Sequence, residues 1–293
     1  MAEIIQRDGT WVFDGSTVRI TPGLHRSVPL FRQTYGEVAV PLEAVSGIVY
    51  EPERKHGRLR LRLREGADPL LQATGGRLPD AADPYRLTVD IDRSGVAEYV
   101  AEEIRHALLL DQVPREPAMA YLLPGPPVPV SVRSSDGMVS FDGTRVRIDW
   151  ADTSDRVKRA TGPRMLSSHD LVRVDWLPNS GYEDGFMRFV TRETVFSKLP
   201  PGKDPYALDL WGSTRRDLLT ALVATAVTAR LPHPSTRAVD HMDPPRLTPA
   251  VPPRSDHHDV LLRRLRELGE LHREGMLTDE EFATTKAAVL RGF

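Results

Sequence analysis

Hydrophobic and polar positions alternate over short stretches of this chain. The clearest case is Gly57-Arg58-Leu59-Arg60-Leu61-Arg62-Leu63-Arg64, with leucine at every second place and arginine between. A period of two marks a strand with one buried and one solvated face. Comparable runs predict strands over Trp11 to Phe13, Thr17 to Ile20, Val28 to Gln33, Glu37 to Val40, Val45 to Tyr50, Leu59 to Leu63 and Tyr85 to Val89. The period then lengthens. Val96, Tyr99, Val100, Ile104, Ala107 and Leu108 recur at helical spacing behind Ser94, a residue suited to cap the helix.

The pattern then starts again. Asp8-Gly9-Thr10-Trp11-Val12-Phe13-Asp14-Gly15 returns as Asp136-Gly137-Met138-Val139-Ser140-Phe141-Asp142-Gly143. Gly57-Arg58-Leu59-Arg60 is matched by Gly185-Phe186-Met187-Arg188, Arg64-Glu65 by Arg192-Glu193, and Asp83-Pro84-Tyr85 by Asp204-Pro205-Tyr206. Several blocks in one order establish an internal duplication. The first copy carries a longer loop, Gly66 to Ala82. The second copy closes on its own helix, with Thr214 and Asp217 spaced as a capping box. Leu218, Leu219, Leu222, Val223, Ala226 and Val227 form its broad apolar face. The copies span residues 5–110 and 135–230. Pro-rich segments 111–134 and 231–256 read as extended spacers, the second disordered.

Residues 257–293 read as a two-helix hairpin. Leu261, Leu265 and Leu268 make one stripe, Gly275 supplies the turn, and Thr278 with Glu281 forms a capping box. Met276, Leu277, Phe282, Val289 and Leu290 complete the apolar side. A hairpin this small cannot bury its own apolar face well enough to offset chain entropy. It is therefore expected to bind a protein partner or to self-associate through these eight residues.

Seven short strands and one helix per copy predict a mainly β protein with α, each copy a curled sheet plugged at its mouth by the helix. This order resembles the pleckstrin-homology-like superfold. The tandem pair, with its Asp-Gly-x-x-x-Phe-Asp-Gly start, is similar to an uncharacterised bacterial family of duplicated domains of that kind. The tail resembles the short C-terminal (SHOCT-type) domain, which implies oligomerisation or recruitment. The resemblances imply partial barrels and say nothing of chemistry.

Composition narrows the function. The formal net charge of 293 residues is −2, so no global field draws in nucleic acid, which is not expected as a partner. Cysteine is absent, which removes disulfides and thiol chemistry and fits a reducing, cytoplasmic setting. No apolar run resembles a secretory signal or a membrane span. The ladder Arg58, Arg60, Arg62 and Arg64 has two readings: an anion surface for lipid headgroups or nucleic acid, or the solvated face of a strand. The second copy keeps only Arg188 and Arg192, with Phe186 and Val190 at the other places. That favours the structural reading and predicts that this face of the second copy is covered. Asp8, Asp14, Asp136 and Asp142 precede glycines and read as turn formers. His233 and His241 fall in the second spacer, and His257-His258 at the hairpin start; no metal site, cofactor or catalytic residue is nominated. Trp11, Trp150, Trp176 and Trp211 read as core. The function expected is that of a non-catalytic interaction protein, with binding of an anionic lipid surface or nucleic acid through the Arg-rich strand of the first copy as the alternative and an unrecognised enzyme as a remote one.

Overall fold

The computed structural model describes residues 1–195 and 198–236. The expected hairpin, 257–293, lies outside them, as do His241 and most of the second Pro-rich segment.

Each copy is a four-stranded meander, a three-stranded meander and a closing helix. In the first, β1 (Ala2–Gln6), β2 (Gly9–Phe13), β3 (Thr17–Pro22) and β4 (Val38–Pro41) form one antiparallel sheet in that order. Helix α1 (Leu30–Tyr35) precedes β4. Strands β5 (Val45–Glu51), β6 (His56–Leu63) and β7 (Arg86–Asp90) form the second sheet, with α2 (Pro69–Thr74) between β6 and β7 and α3 (Ser94–Leu110) at the end. The second copy repeats the plan. Strands β8 (Val130–Arg133), β9 (Gly137–Phe141), β10 (Arg145–Trp150) and β11 (Arg164–Ser167) pair as one sheet, with α4 (Arg156–Ala160) before β11. Strands β12 (Leu171–Leu177), β13 (Gly185–Thr191) and β14 (Ala207–Leu210) make the other, followed by α5 (Thr214–Asp217) and α6 (Thr220–Thr228). None of the four sheets closes into a barrel. A β-bulge between Val45 and Gly47 recurs between Leu171 and Arg173, so even this irregularity is duplicated.

The Asp-Gly repeats form the β2–β3 and β9–β10 turns. Asp14 Oδ1 accepts from the Ser16 and Thr17 amides at 2.8 Å, and Asp142 Oδ1 from Thr144 and Arg145 at 2.8 and 2.7 Å. These donors favour the ionised carboxylates, holding Asp14 below its ordinary pKa and Asp142 down to about 2. Gly15 and Gly143 supply φ of +107° and +108°.

Several expectations are corrected. Val28 to Gln33 is not a strand: Pro29 precedes α1, whose helical turn brings Phe31 and Arg32 inward together. Strands β1 and β8 were not anticipated, the latter because it begins directly after the last proline of segment 111–134. Ser94 is the first residue of α3 and not its cap; its hydroxyl donates to the Ile91 carbonyl and accepts from Tyr50. Ser213, not Thr214, sits at the α5 N-cap, without a side-chain bond. Asp217 is buried, accepting from the Gly212 amide at 3.0 Å and Asn179 Nδ2 at 3.2 Å. Trp11 and Trp176 are core and Trp150 is half-buried, but Trp211 is 46% exposed.

Segment 111–134 is no bare spacer. The Ala118 amide donates to the Glu65 carbonyl at 2.7 Å, and the Leu122 and Leu123 amides donate to Ala67. His233, expected in a flexible spacer, is also seated: its Nε2 lies 2.9 Å from the Gly66 carbonyl and its ring meets Tyr121 edge-on. Gly66, at φ +76°, is where these strands of chain converge; a Cβ there would come within 2.8 Å of the Ala118 carbonyl oxygen.

The extra loop of the first copy holds α2, which packs on α6 and β12 of the second copy. Asp68 caps it, accepting from Leu70 and Leu71, and receives the Tyr85 hydroxyl at 2.8 Å. Leu70, Ala73 and Thr74, at i, i+3 and i+4, are its buried side.

Candidate functional site

The arginine ladder lies on β6 with Leu59 and Leu61 buried behind it, as the alternation requires. Its four members do different things. Arg58 is engaged by Glu53, its Nε 2.8 Å from Oε1. Arg64 is half-buried and donates to the backbone carbonyls of Glu43 and Glu116, each at 2.9 Å, so it fastens segment 111–134 to the first copy. Only Arg60 and Arg62 are exposed with neither hydrogen bond nor ion pair among the described residues. Retention in the second copy does not signal this division, since the free Arg60 is kept as Arg188 just as the engaged Arg64 is kept as Arg192.

The corresponding face of the second copy is covered, and by its own chain. Arg188 donates to the Leu199 carbonyl at 2.5 Å, meets Asp204 at 2.8 Å, and lies over the Phe186 ring; Val190 is buried. Cover comes from the segment just after β13, including a 3₁₀ turn at Pro201–Lys203.

The chemistry that sequence reasoning missed is a buried ion pair repeated in both copies. Asp136, at the β8–β9 turn, has Oδ2 2.5 Å from Lys158 Nζ and accepts the Asp209 amide at 2.8 Å. Both side chains are essentially without solvent contact, and the ammonium also faces the Trp150 ring at 5.1 Å. In the first copy Asp8 Oδ2 accepts the Thr88 amide at 3.1 Å and lies 3.5 Å from Arg32 Nη1. Each carboxylate thus ties the first hairpin to the last strand and to a cation from the helix between the third and fourth strands. Burial lowers the Arg32 pKa, opposed by Asp8. Turn formation does not account for Asp8 and Asp136, as had been expected. Nothing in the residues alone separated them from Asp14 and Asp142, which are repeated before glycine in the same way.

Around Arg32 the first copy opens a cleft of about 310 Å³, lined by Gln6, Asp8, His56, Arg86 and Asp90 among others. Several of its polar groups are paired: His56 Nδ1 lies 3.2 Å from Asp90, and Arg86 meets Asp80 and Asp83. Arg32 Nε and Nη2 are buried with no hydrogen-bond partner among the described residues. Ser27 lines the cleft and its hydroxyl lies 2.7 Å from His25 Nδ1, both residues exposed. Among the described residues no group of three or more His, Asp or Glu side chains is arranged to hold a metal ion.

A domain of unknown function, DUF4429, matches residues 11–105 and again 139–228. The chain belongs to this family. The two DUF4429 matches coincide with the two halves of the duplication, so the repeat seen in the residues, the strand order and the ion pairs is the repeat of the family. No curated protein matches the chain. Within the DUF4429 repeats no helix among the described residues is long and apolar enough to cross a membrane. The eight apolar residues nominated for partner binding (Leu261, Leu265, Leu268, Met276, Leu277, Phe282, Val289 and Leu290) lie outside the described residues.

Proposed function

We propose that the chain is a non-catalytic interaction protein, with the first repeat as recognition body and residues 257–293 as an arm for oligomerisation or recruitment. One observation carries the reading of the body: two equivalent helices are unequally covered. Every residue of α6 is buried, whereas α3 leaves Tyr99, Leu109 and Leu110 at 53, 71 and 70% exposure. Leu109 also lines an open groove with Ile48, Leu108 and Val113, and an apolar surface of that kind is the usual mark of a binding site. The role of the arm rests on sequence alone. A four-strand plus three-strand order closed by a helix, seen twice, supports pleckstrin-homology-like partial barrels as the type of both repeats, and the absence of cysteine fits a cytoplasmic setting.

The test is photo-crosslinking in the native host. A photoreactive residue in place of Tyr99 or Leu109 of the full chain should give discrete protein adducts, and one in place of Tyr182, fully exposed on the second repeat, should not. Ending the chain at Ser255 should reduce the adducts. Equal labelling from Tyr99 and Tyr182, or adducts indifferent to the truncation, refutes the proposal.

A further inference from the structure

We infer that the groove between β5 and α3 takes a short amphipathic helix of a partner protein, apolar on its inner side and acidic on its outer one. The inference rests on the reading of the first repeat as recognition body and supplies the partner's chemistry.

The duplication itself shows what such a groove accepts. In the second repeat, β12 and α6 are the counterparts of β5 and α3, and α2 is packed against both. The occupant there is a six-residue helix that turns Leu70, Ala73 and Thr74 inward. The first repeat has the same edge strand and the same helix but no such occupant among the described residues. Its groove measures about 570 Å³ and is lined by Ile48, Leu108, Leu109 and Val113, with Arg105 and Arg115 at the rim. That volume suits the few apolar side chains on one side of a short helix.

Charge selects the outer side. Arg115 is exposed, and Arg105 reaches across the groove to the Ile48 carbonyl at 3.3 Å while pairing with exposed Glu102. Arg62 lies opposite Gly47 on the adjoining strand; a Cβ at Gly47 would touch nothing within 4 Å, so no wall separates this cation from the edge. The second repeat has lost these charges. Helix α6 carries no charged residue, Val190 stands in place of Arg62, and Arg173, at the position of Gly47, is held by Asp175 at 2.8 Å. Where the groove is open, Arg62 and Arg115 have no ion pair among the described residues; where it is filled, the helix that lines it has no cation at all. Complementarity of this kind governs which partner docks, more than how tightly.

The test uses the full chain and three labelled peptides, read by fluorescence anisotropy. One is a helix-forming peptide with leucines on one side and glutamates on the other, the second has lysines for the glutamates, and the third alternates valine and glutamate as an extended strand. Saturable binding of the first is expected, weakened roughly tenfold by Arg115→Glu and by Leu109→Glu, with the lysine peptide weaker by a similar factor. Both substitutions are at exposed positions, and unchanged circular dichroism checks that each variant is folded. Preference for the extended peptide, equal binding of acidic and basic helices, or affinity untouched by both substitutions overturns the inference. So does binding only to anionic phospholipid vesicles. If no peptide binds while crosslinks from Leu109 persist, the partner chemistry is wrong and the recognition body stands.

Discussion

Helices α3 and α6 occupy the same place in two copies of one domain, yet they have become different objects. Helix α3 buries Ala97, Val100, Ala101 and Ile104 against β1 and β5 and leaves its other side in water. Helix α6 is covered on its own sheets by β8 and β12 and on its far side by α2. Its two most deeply buried hydroxyls are satisfied: Thr220 accepts from Trp176 Nε1 at 2.9 Å, and Thr225 donates to the Ala221 carbonyl at 2.7 Å. The same asymmetry runs through the ion pairs, sealed in the second copy and partly wet in the first. Duplication has produced one repeat whose closing helix is wholly covered and one whose closing helix keeps an open side.

The contrast can be broken most forcefully at the ion pairs. Lys158→Met strands the Asp136 carboxylate in a dry site and should cost about 3–5 kcal/mol. Arg32→Met should cost under about 2 kcal/mol, because Asp8 keeps 22% of its side chain in solvent. Urea unfolding of the two variants decides it; equal losses would show that burial does not grade the pairs. The next effect is at the join. Leu70→Ala removes a fully buried contact of α2 and should cost about 3 kcal/mol, while Leu110→Ala on the open end of α3 should stay within about 0.5 kcal/mol. Similar melting temperatures for both would erase the distinction between the helices.

The smallest effect is a pH dependence at the cap of α2. Burial raises the Asp68 pKa from 3.8 to about 6, against the hydrogen bonds it accepts from Leu70, Tyr85 and Leu71. Between those values the unfolded chain has released the proton and the folded chain still holds it, so this group's contribution to stability falls as pH rises from 4 to 6. Asp68→Asn keeps the cap and removes the titration. Relative to the native chain the variant should gain up to about 2 kcal/mol across that interval in denaturation at stepped pH, and a gap that does not change with pH would exclude the ionisation.

Much of this architecture was legible in the residues, because strand alternation and turn chemistry are local. The β6 ladder, the Asp14 and Asp142 turns, the duplication and both closing helices could be read directly. What escaped was set at long range. Val28 to Gln33 looks like strand until Arg32 is known to need Asp8. The Gly66 to Ala82 insertion looks like a loop until α6 is seen to lack cover. Proline in segment 111–134 correctly excluded helix, but it gave no sign that Arg64 and Ala67 would hold that segment down. The open groove left even less trace, since its meaning comes from comparison with a filled one.

The position of α2 gives the tandem a direction. A helix encoded in the upstream copy completes the downstream one, and the downstream copy, lacking that insertion, has nothing equivalent to extend to a successor. A third copy appended by the same duplication would arrive with a bare α6 counterpart and no neighbour able to cover it. The pair is therefore ordered: the upstream half supplies cover that the downstream half does not return.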